Sequence, residues 1–245
     1  QNFCFPSRQR GFDSRQPLHM YRALGILIGA LLALGLTACG PSAQPEPTKA
    51  AGTTTVAFYG DSYTRGTGAS SSEKRWSTII CAERGWTEIN RSENGLGFVN
   101  RRASMGPGLD DIPAQIIRDE PDIVFVTMGL NDNFSYDSAA AEIHAAIDSD
   151  LDRLRQGLPR ARIVVVEPFW WTADRPASVD VIIGWVRDAA DRIGADHIAG
   201  ASHWLDGHYA DDADSWMAGD GLHPDDVGYA RIAERMDAEL QALGL

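Results

Sequence analysis

Two short, uninterrupted apolar runs set the strongest limit on how this chain can fold. Residues 122–128 (DIVFVTM) and 162–166 (RIVVV) are rich in β-branched side chains, and Pro168 stops the second. Neither alternates polar with apolar positions, so each reads as a strand covered on both faces. Such strands belong to parallel sheets, whose crossover connections lay helices over both sides. Residues 54–59 (TTVAFY), stopped by Gly60, and 87–91 (TEINR) add two strands, and 197–201 a weaker fifth. Helical segments are expected at 76–84, 110–119, 138–158, 179–193 and 226–243. In the last, Ala233, Met236, Leu240 and Leu243 recur at helical spacing. Strands alternating with helices give an α/β fold, a three-layer α/β/α sandwich with a parallel central sheet. No internal repeat or second domain is visible, and residues 54–245 read as the folded domain.

The first fifty residues are of another kind. Residues 23–36 (ALGILIGALLALGL) are apolar or Gly and follow Met20-Tyr21-Arg22. Fourteen residues are too few for a membrane span of about 20, but they suit the core of a signal peptide with a basic flank. Leu36-Thr37-Ala38-Cys39 resembles a bacterial lipobox, in which cleavage precedes the Cys and its thiol is lipidated. On that reading residues 1–19 are upstream or non-native sequence, 20–38 the signal peptide, and Cys39 the lipid anchor. Residues 39–53, rich in Pro, Ala and small polar residues, are then a flexible tether. The protein is expected to be exported and held at the extracytoplasmic face of the membrane.

Charge sharpens the division. The whole chain carries −12. Residues 1–38 hold four Arg and one Asp (+3), leaving 18 basic and 33 acidic residues, or −15, from Cys39 onward. So acidic a domain lacks the basic footprint needed to grip nucleic-acid phosphates. Cys4, Cys39 and Cys81 are too widely spaced for a disulfide framework or a zinc motif, and Cys81, beside Ile79 and Ile80, reads as a core thiol.

In open parallel sheets, sites form at the carboxyl ends of the strands. There the chain places Gly60-Asp61-Ser62-Tyr63, Asn94-Gly95-Leu96-Gly97 and Gly129-Leu130-Asn131-Asp132; Asp220-Gly221-Leu222-His223-Pro224 precedes the last helix. These are the parts that acyl transfer needs. A Ser hydroxyl becomes a competent nucleophile when a base takes its proton, and His is the usual base near neutral pH. His223 can act so if Asp220 sets its tautomer and stabilises the imidazolium. The oxyanion needs donors aimed in advance, which the Ser62 N–H, a Gly N–H in a tight loop and the Asn131 amide can supply.

The blocks GDS, a loop Gly, GxND and DxxHP, in this order over residues 54–245, resemble the SGNH (GDSL) hydrolase superfamily. The resemblance implies a flavodoxin-like fold and a serine esterase that works through an acyl-enzyme without a cofactor or metal. It makes Ser62 the nucleophile, His223 the base and Asp220 its partner. Gly95 and Asn131 then join the Ser62 N–H in the oxyanion hole. Gly97 is the alternative to Gly95; alignment of residues 90–98 with the family's loop favours Gly95. Tyr63 stands where the family's name has Leu, a change that alters no catalytic atom.

Trp170 and Trp171 follow the fourth strand and are candidates for a substrate pocket, as are Trp204 and Trp216, the latter closely preceding Asp220. They favour an extended or carbohydrate-bearing ester, such as an O-acyl or O-acetyl glycan of the envelope. A lipase, lysophospholipase or thioesterase of the same fold is the nearest alternative, and a non-catalytic surface binding module the rival of another class. The domain is expected to be monomeric. No Gly-x-Gly here completes a dinucleotide fingerprint, and no G-x-S-x-G elbow occurs. The acidic stretch 203–214 matches neither a zinc motif nor a calcium loop and reads as a surface loop. His144 and His197 read as structural.

Overall fold

The computed structural model describes residues 52–106 and 111–245. Five strands, β1 (Thr55–Gly60), β2 (Thr87–Asn90), β3 (Ile123–Thr127), β4 (Arg162–Val166) and β5 (Asp196–Ile198), form one sheet in the order β2-β1-β3-β4-β5. Every neighbouring pair is parallel. The helices are α1 (Ser62–Arg65), α2 (Trp76–Arg84), α3 (Ile112–Asp119), α4 (Tyr136–Gly157), α5 (Ala177–Arg192) and α6 (Asp226–Ala242). The expected α/β sandwich is what forms. Only α1 has no counterpart in the sequence pattern, because four residues are too few to show a period.

Strand periodicity sorts the core into two halves. Val56 and Phe58 of β1 and Ile123 and Phe125 of β3 face one way, where α2 and α6 bring Trp76, Ile80, Tyr229 and Met236. Phe58 stacks on Phe125 at 5.1 Å and meets the edge of Trp76 at 5.4 Å. Ala57, Tyr59, Val124 and Val126 face the other way, against Ile143, Ile147 and Leu151 of α4 and Ile182 and Val186 of α5. Burial on both faces accounts for the unbroken apolar runs of β3 and β4.

The strand order reverses between β1 and β3, the point at which open parallel sheets form a crevice beyond the carboxyl ends of their strands. Here the backbone is drawn tight. Gly60 pairs with Thr127 across the two strands, and the Thr64 and Thr127 hydroxyls meet at 2.5 Å. A Cβ on Gly60 would lie 2.3 Å from Thr127 Oγ1 and 2.6 Å from Thr64 Cβ.

The expected signal peptide, Cys39 and residues 39–51 of the expected tether lie outside the described residues. Among the described residues, no helix is long and apolar enough to cross a membrane.

Gly60→Ala is expected to force β1 and β3 apart where they carry the site. The loss should be about 1–3 kcal/mol of unfolding free energy, the usual range for overpacking a tight interior, read from urea unfolding curves. An unchanged midpoint would show that the two strands tolerate the methyl group.

Candidate active site

The first part of the site is built by a cap. Asp61 leaves β1 in extended conformation, and its Oδ1 accepts from the Tyr63 N–H at 2.9 Å, which starts α1. Ser62 is therefore the first helical residue and is held at the crevice by its own carbonyl, which accepts from Gly66 N and Thr67 N, each at 3.0 Å. The Ser62 side chain is 6% exposed. Its N–H, at the helix start where donors lack an intrahelical partner, makes no hydrogen bond among the described residues.

The loop after β2 comes alongside, tied to β1 by Glu93 N donating to Gly60 O at 3.1 Å. Its two glycines have different tasks. The Gly97 N–H donates to Asn100 O at 3.0 Å, whereas among the described residues no hydrogen bond engages the Gly95 N–H. Gly95 takes φ +71, and a Cβ there would lie 2.7 Å from Arg101 Cδ. A Cβ on Gly97 would fall 2.5–2.6 Å from the Asp132 carboxylate. Of the two, only Gly95 has a main-chain donor to spare.

Asn131 opens the 3₁₀ turn Asn131–Ser135 after β3. It is buried, and its Nδ2 donates to Leu96 O at 3.0 Å and, weakly, to Asp61 Oδ2 at 3.4 Å. The Asn131 amide thus lies between the residue preceding Ser62 and the residue following Gly95.

The fourth part arrives from the turn before α6. Asp220 Oδ1 accepts from the N–H groups of Leu222 (2.9 Å) and His223 (3.0 Å), and Asp220 Oδ2 lies 2.7 Å from His223 Nδ1. Partial burial disfavours the Asp220 charge. The hydrogen bonds from the His223 ring and from the His223 and Leu222 N–H groups outweigh that and take its carboxyl down to about 2. The turn is pinned by Ala218 N donating to His223 O at 2.7 Å and by a bridge between Met217 and Pro224. Tyr63 joins it to α1: its hydroxyl donates to Leu222 O at 2.6 Å, and its ring lies 5.8 Å from that of His223. No hydrogen bond links Ser62 to His223. Such contacts are often loose without substrate.

The aromatic candidates divide. Trp170 is a core residue, 2% exposed, with Nε1 donating to Asp174 O at 3.0 Å. Its expected place in a substrate pocket is therefore corrected: the indole is spent on packing and on its own loop. Trp171 is half-buried and meets Phe134 at 6.0 Å. Phe134 is 64% exposed, and the sequence reading missed it. The available signal was one large apolar residue in the polar stretch three positions after Asn131. Trp204 is buried, and Trp216 stacks on His208 at 3.4 Å.

Cys81 is buried, and burial, with Glu88 adding to it, pushes its thiol up to about 12. His144 stacks on Trp185 at 4.7 Å. The surface depression lined by residues 120–122 and 157–161 lies at the amino-terminal ends of β3 and β4, away from these groups.

Against this geometry, residues 58–231 match the model of the GDSL-like lipase/acylhydrolase family. The chain belongs to that family. It is a GDSL-type serine hydrolase acting on esters. Among curated proteins it is 27% identical over 190 residues to a GDSL lipase of Mycobacterium tuberculosis, covering 74% of this chain and 79% of the relative. The solved structure of TesA superposes with a TM-score of 0.60 at 19% identity, over 78% of this chain and 99% of TesA. The psychrotrophic esterase EstA from Pseudoalteromonas sp. gives 0.60 at 15% identity, over 78% and 98%. Phospholipase A1 from Streptomyces albidoflavus gives 0.57 at 15% identity, over 76% and 99%. At those identities the three structures support the GDSL hydrolase fold.

Asp61 gives this site a pH signature. Burial pushes its carboxyl up to about 7, against the hydrogen bond from Tyr63 and reinforced by the charge of Asp132. Its folded-state value lies above the unfolded value of about 4. Its contribution to stability is therefore complete below pH ~4 and is lost as pH rises through about 7. Asp61→Asn keeps an N-cap oxygen but cannot ionise. Its thermal midpoint should fall less than wild type's between pH 4 and 7, as measured by circular dichroism. Parallel pH profiles for the two proteins would show that Asp61 is charged in the fold.

Proposed function

We propose that this GDSL hydrolase cleaves carboxylic esters through an acyl-enzyme formed on Ser62. The observation that carries the reading is the Asp220–His223 pair, bonded at 2.7 Å and attached through Tyr63 to the helix that begins at Ser62. In this mechanism the Ser62 oxygen attacks the ester carbonyl while His223 takes its proton. Asp220, ionised at every working pH, stabilises the imidazolium. The carbonyl oxygen, now negative, receives hydrogen bonds from the unengaged N–H groups of Ser62 and Gly95. Asn131 adds a third by giving up its long contact to Asp61. His223 then protonates the departing alcohol. Water, deprotonated by His223 in turn, attacks the acyl-enzyme, releases the acid and restores Ser62.

For the substrate, we propose that exposed Phe134 and half-buried Trp171 together support an apolar or sugar-ring portion of the ester. An O-acyl or O-acetyl glycan is the preferred class. The names of similar proteins, an esterase and a phospholipase A1, keep lipid esters as the alternative. A fluorophosphonate probe should label wild type and leave Ser62→Ala unlabelled. Across a panel from acetyl-sugars to long-chain lipid esters, Ser62→Ala should lose at least ~10⁴-fold in kcat, as loss of a triad member does. Equal turnover by the two proteins would overturn the mechanism. Trp171→Ala with an unaltered preference across the panel would remove the aromatic pair from substrate binding.

We further propose that residues 20–38 act as a signal peptide and that Cys39 carries the lipid that holds the domain outside the cell. The support is the lipobox-like Leu36-Thr37-Ala38-Cys39 sequence. Expressed in a bacterium supplied with labelled palmitate, the full chain should incorporate label and lose it on Cys39→Ala. A wild-type chain that stays unlabelled and cytosolic would refute the assignment.

A further inference from the structure

The residue after Asn131 sits at the centre of a second, concealed set of contacts. Asp132 is 0% exposed, yet its carboxylate accepts three successive main-chain N–H groups: Phe98 at 2.7 Å, Val99 at 2.9 Å and Asn100 at 3.1 Å. Successive backbone donors converging on one anion form a nest, the arrangement that holds phosphates in other proteins. Here the anion is internal, and the loop that wraps it is the one that carries Gly95.

Gly97 belongs to the same device. Any side chain there would occupy the space of the carboxylate, since a Cβ would fall 2.5 Å from Asp132 Oδ1. From the nest the contacts run back to Gly95. Asn100 Nδ2 donates to Gly95 O at 2.8 Å, and Ser135 Oγ donates to Asn100 Oδ1 at 3.0 Å, which fixes the orientation of that amide. Asn131 Nδ2 holds the next carbonyl, Leu96 O, at 3.0 Å. The turn after β3 therefore grips the loop after β2 at the nest and at Leu96, and reaches Gly95 through Ser135 and Asn100.

We infer that Asp132 is a positioning residue for the oxyanion hole, acting through Asn100, whose bond to the Gly95 carbonyl holds the Gly95–Leu96 peptide and so fixes the Gly95 backbone from which the N–H projects. The inference rests on the reading of Gly95 as an oxyanion donor. Burial raises the Asp132 carboxyl's affinity for its proton, and the three N–H groups, with Arg102 nearby, work against that. A carboxylate can accept all three bonds at once. A carboxamide cannot, because one of its two heads is a donor and would face an N–H. The effect belongs to the transition state: the Gly95 donor matters when the carbonyl oxygen becomes charged, and much less while substrate is merely bound.

The test compares Asp132→Asn and Asn100→Ala with wild type and Ser62→Ala on a small p-nitrophenyl ester. Asn100→Ala keeps the three N–H groups of the nest and removes the side-chain bonds to Gly95 and Ser135, so it serves if Asp132→Asn does not fold. Each is expected to lower kcat by ~10- to 100-fold, somewhat less than outright loss of an oxyanion donor. KM should stay within about twofold, because ground-state binding is unaffected. Affinity for a boronic acid that forms a tetrahedral adduct should fall by the same factor as kcat. A purely structural role would lower the folded fraction and leave that affinity ratio unmoved. Folded variants with kcat within twofold of wild type, alongside an inactive Ser62→Ala, would overturn the inference. Wild type and Ser62→Ala hydrolysing the ester equally would instead overturn the reading on which it rests.

Discussion

The hydrogen bond from the Tyr63 hydroxyl to Leu222 O, 2.6 Å long, joins parts of the chain 159 positions apart. On one side is α1, which begins at Ser62; on the other is the turn that bonds Asp220 to His223. The sheet alone would not set their distance, because the Asp–His turn precedes α6 and belongs to no strand. Tyr63 is fully buried, and its ring stacks on Phe169 at 5.6 Å within the α2–α6 half of the core. The position where the family's name has a leucine thus carries both a packing anchor and a polar tie.

Three carboxylates around the crevice show how environment divides one chemical group into separate tasks. Asp220 is half-exposed and accepts bonds from two N–H groups and the His223 ring, so it stays charged to about pH 2. Asp61 is enclosed with fewer donors and titrates near 7. Asp132 is enclosed too, but a nest of three amides meets its charge. Each carboxylate also organises backbone: a helix start, the loop after β2, or the turn before α6. The polarity of the site is thus inseparable from its shape.

The fold was largely legible because parallel strands buried on both faces leave unbroken apolar runs that helices cannot imitate at that length. Residues 162–166 and 76–84 match β4 and α2 residue for residue. Helix starts were less sharp: the expected helices at 138 and 179 begin instead at Tyr136 and Ala177. First turns are set by capping and packing rather than by period. Trp170 and Trp171 mark where this reasoning stopped. Adjacent and chemically identical, with ring centroids 4.1 Å apart, they end at different depths, Trp170 in the core and Trp171 half-buried against it, and nothing in the pair itself says which lies deeper.

From the sequence alone came the sandwich and the blocks at the strand ends, because periodicity and turn chemistry are local properties. Tertiary structure alone decided which loop glycine keeps a free N–H. It also showed that Gly97 is bare to admit a carboxylate, and that Phe134 meets Trp171 at the surface. Those outcomes depend on which atoms approach across the sheet. An N–H is spent or spare only when its neighbours in space are known, and Asp132 reaches the loop that holds Gly95 and Asn100 only once β2, β1 and β3 lie side by side.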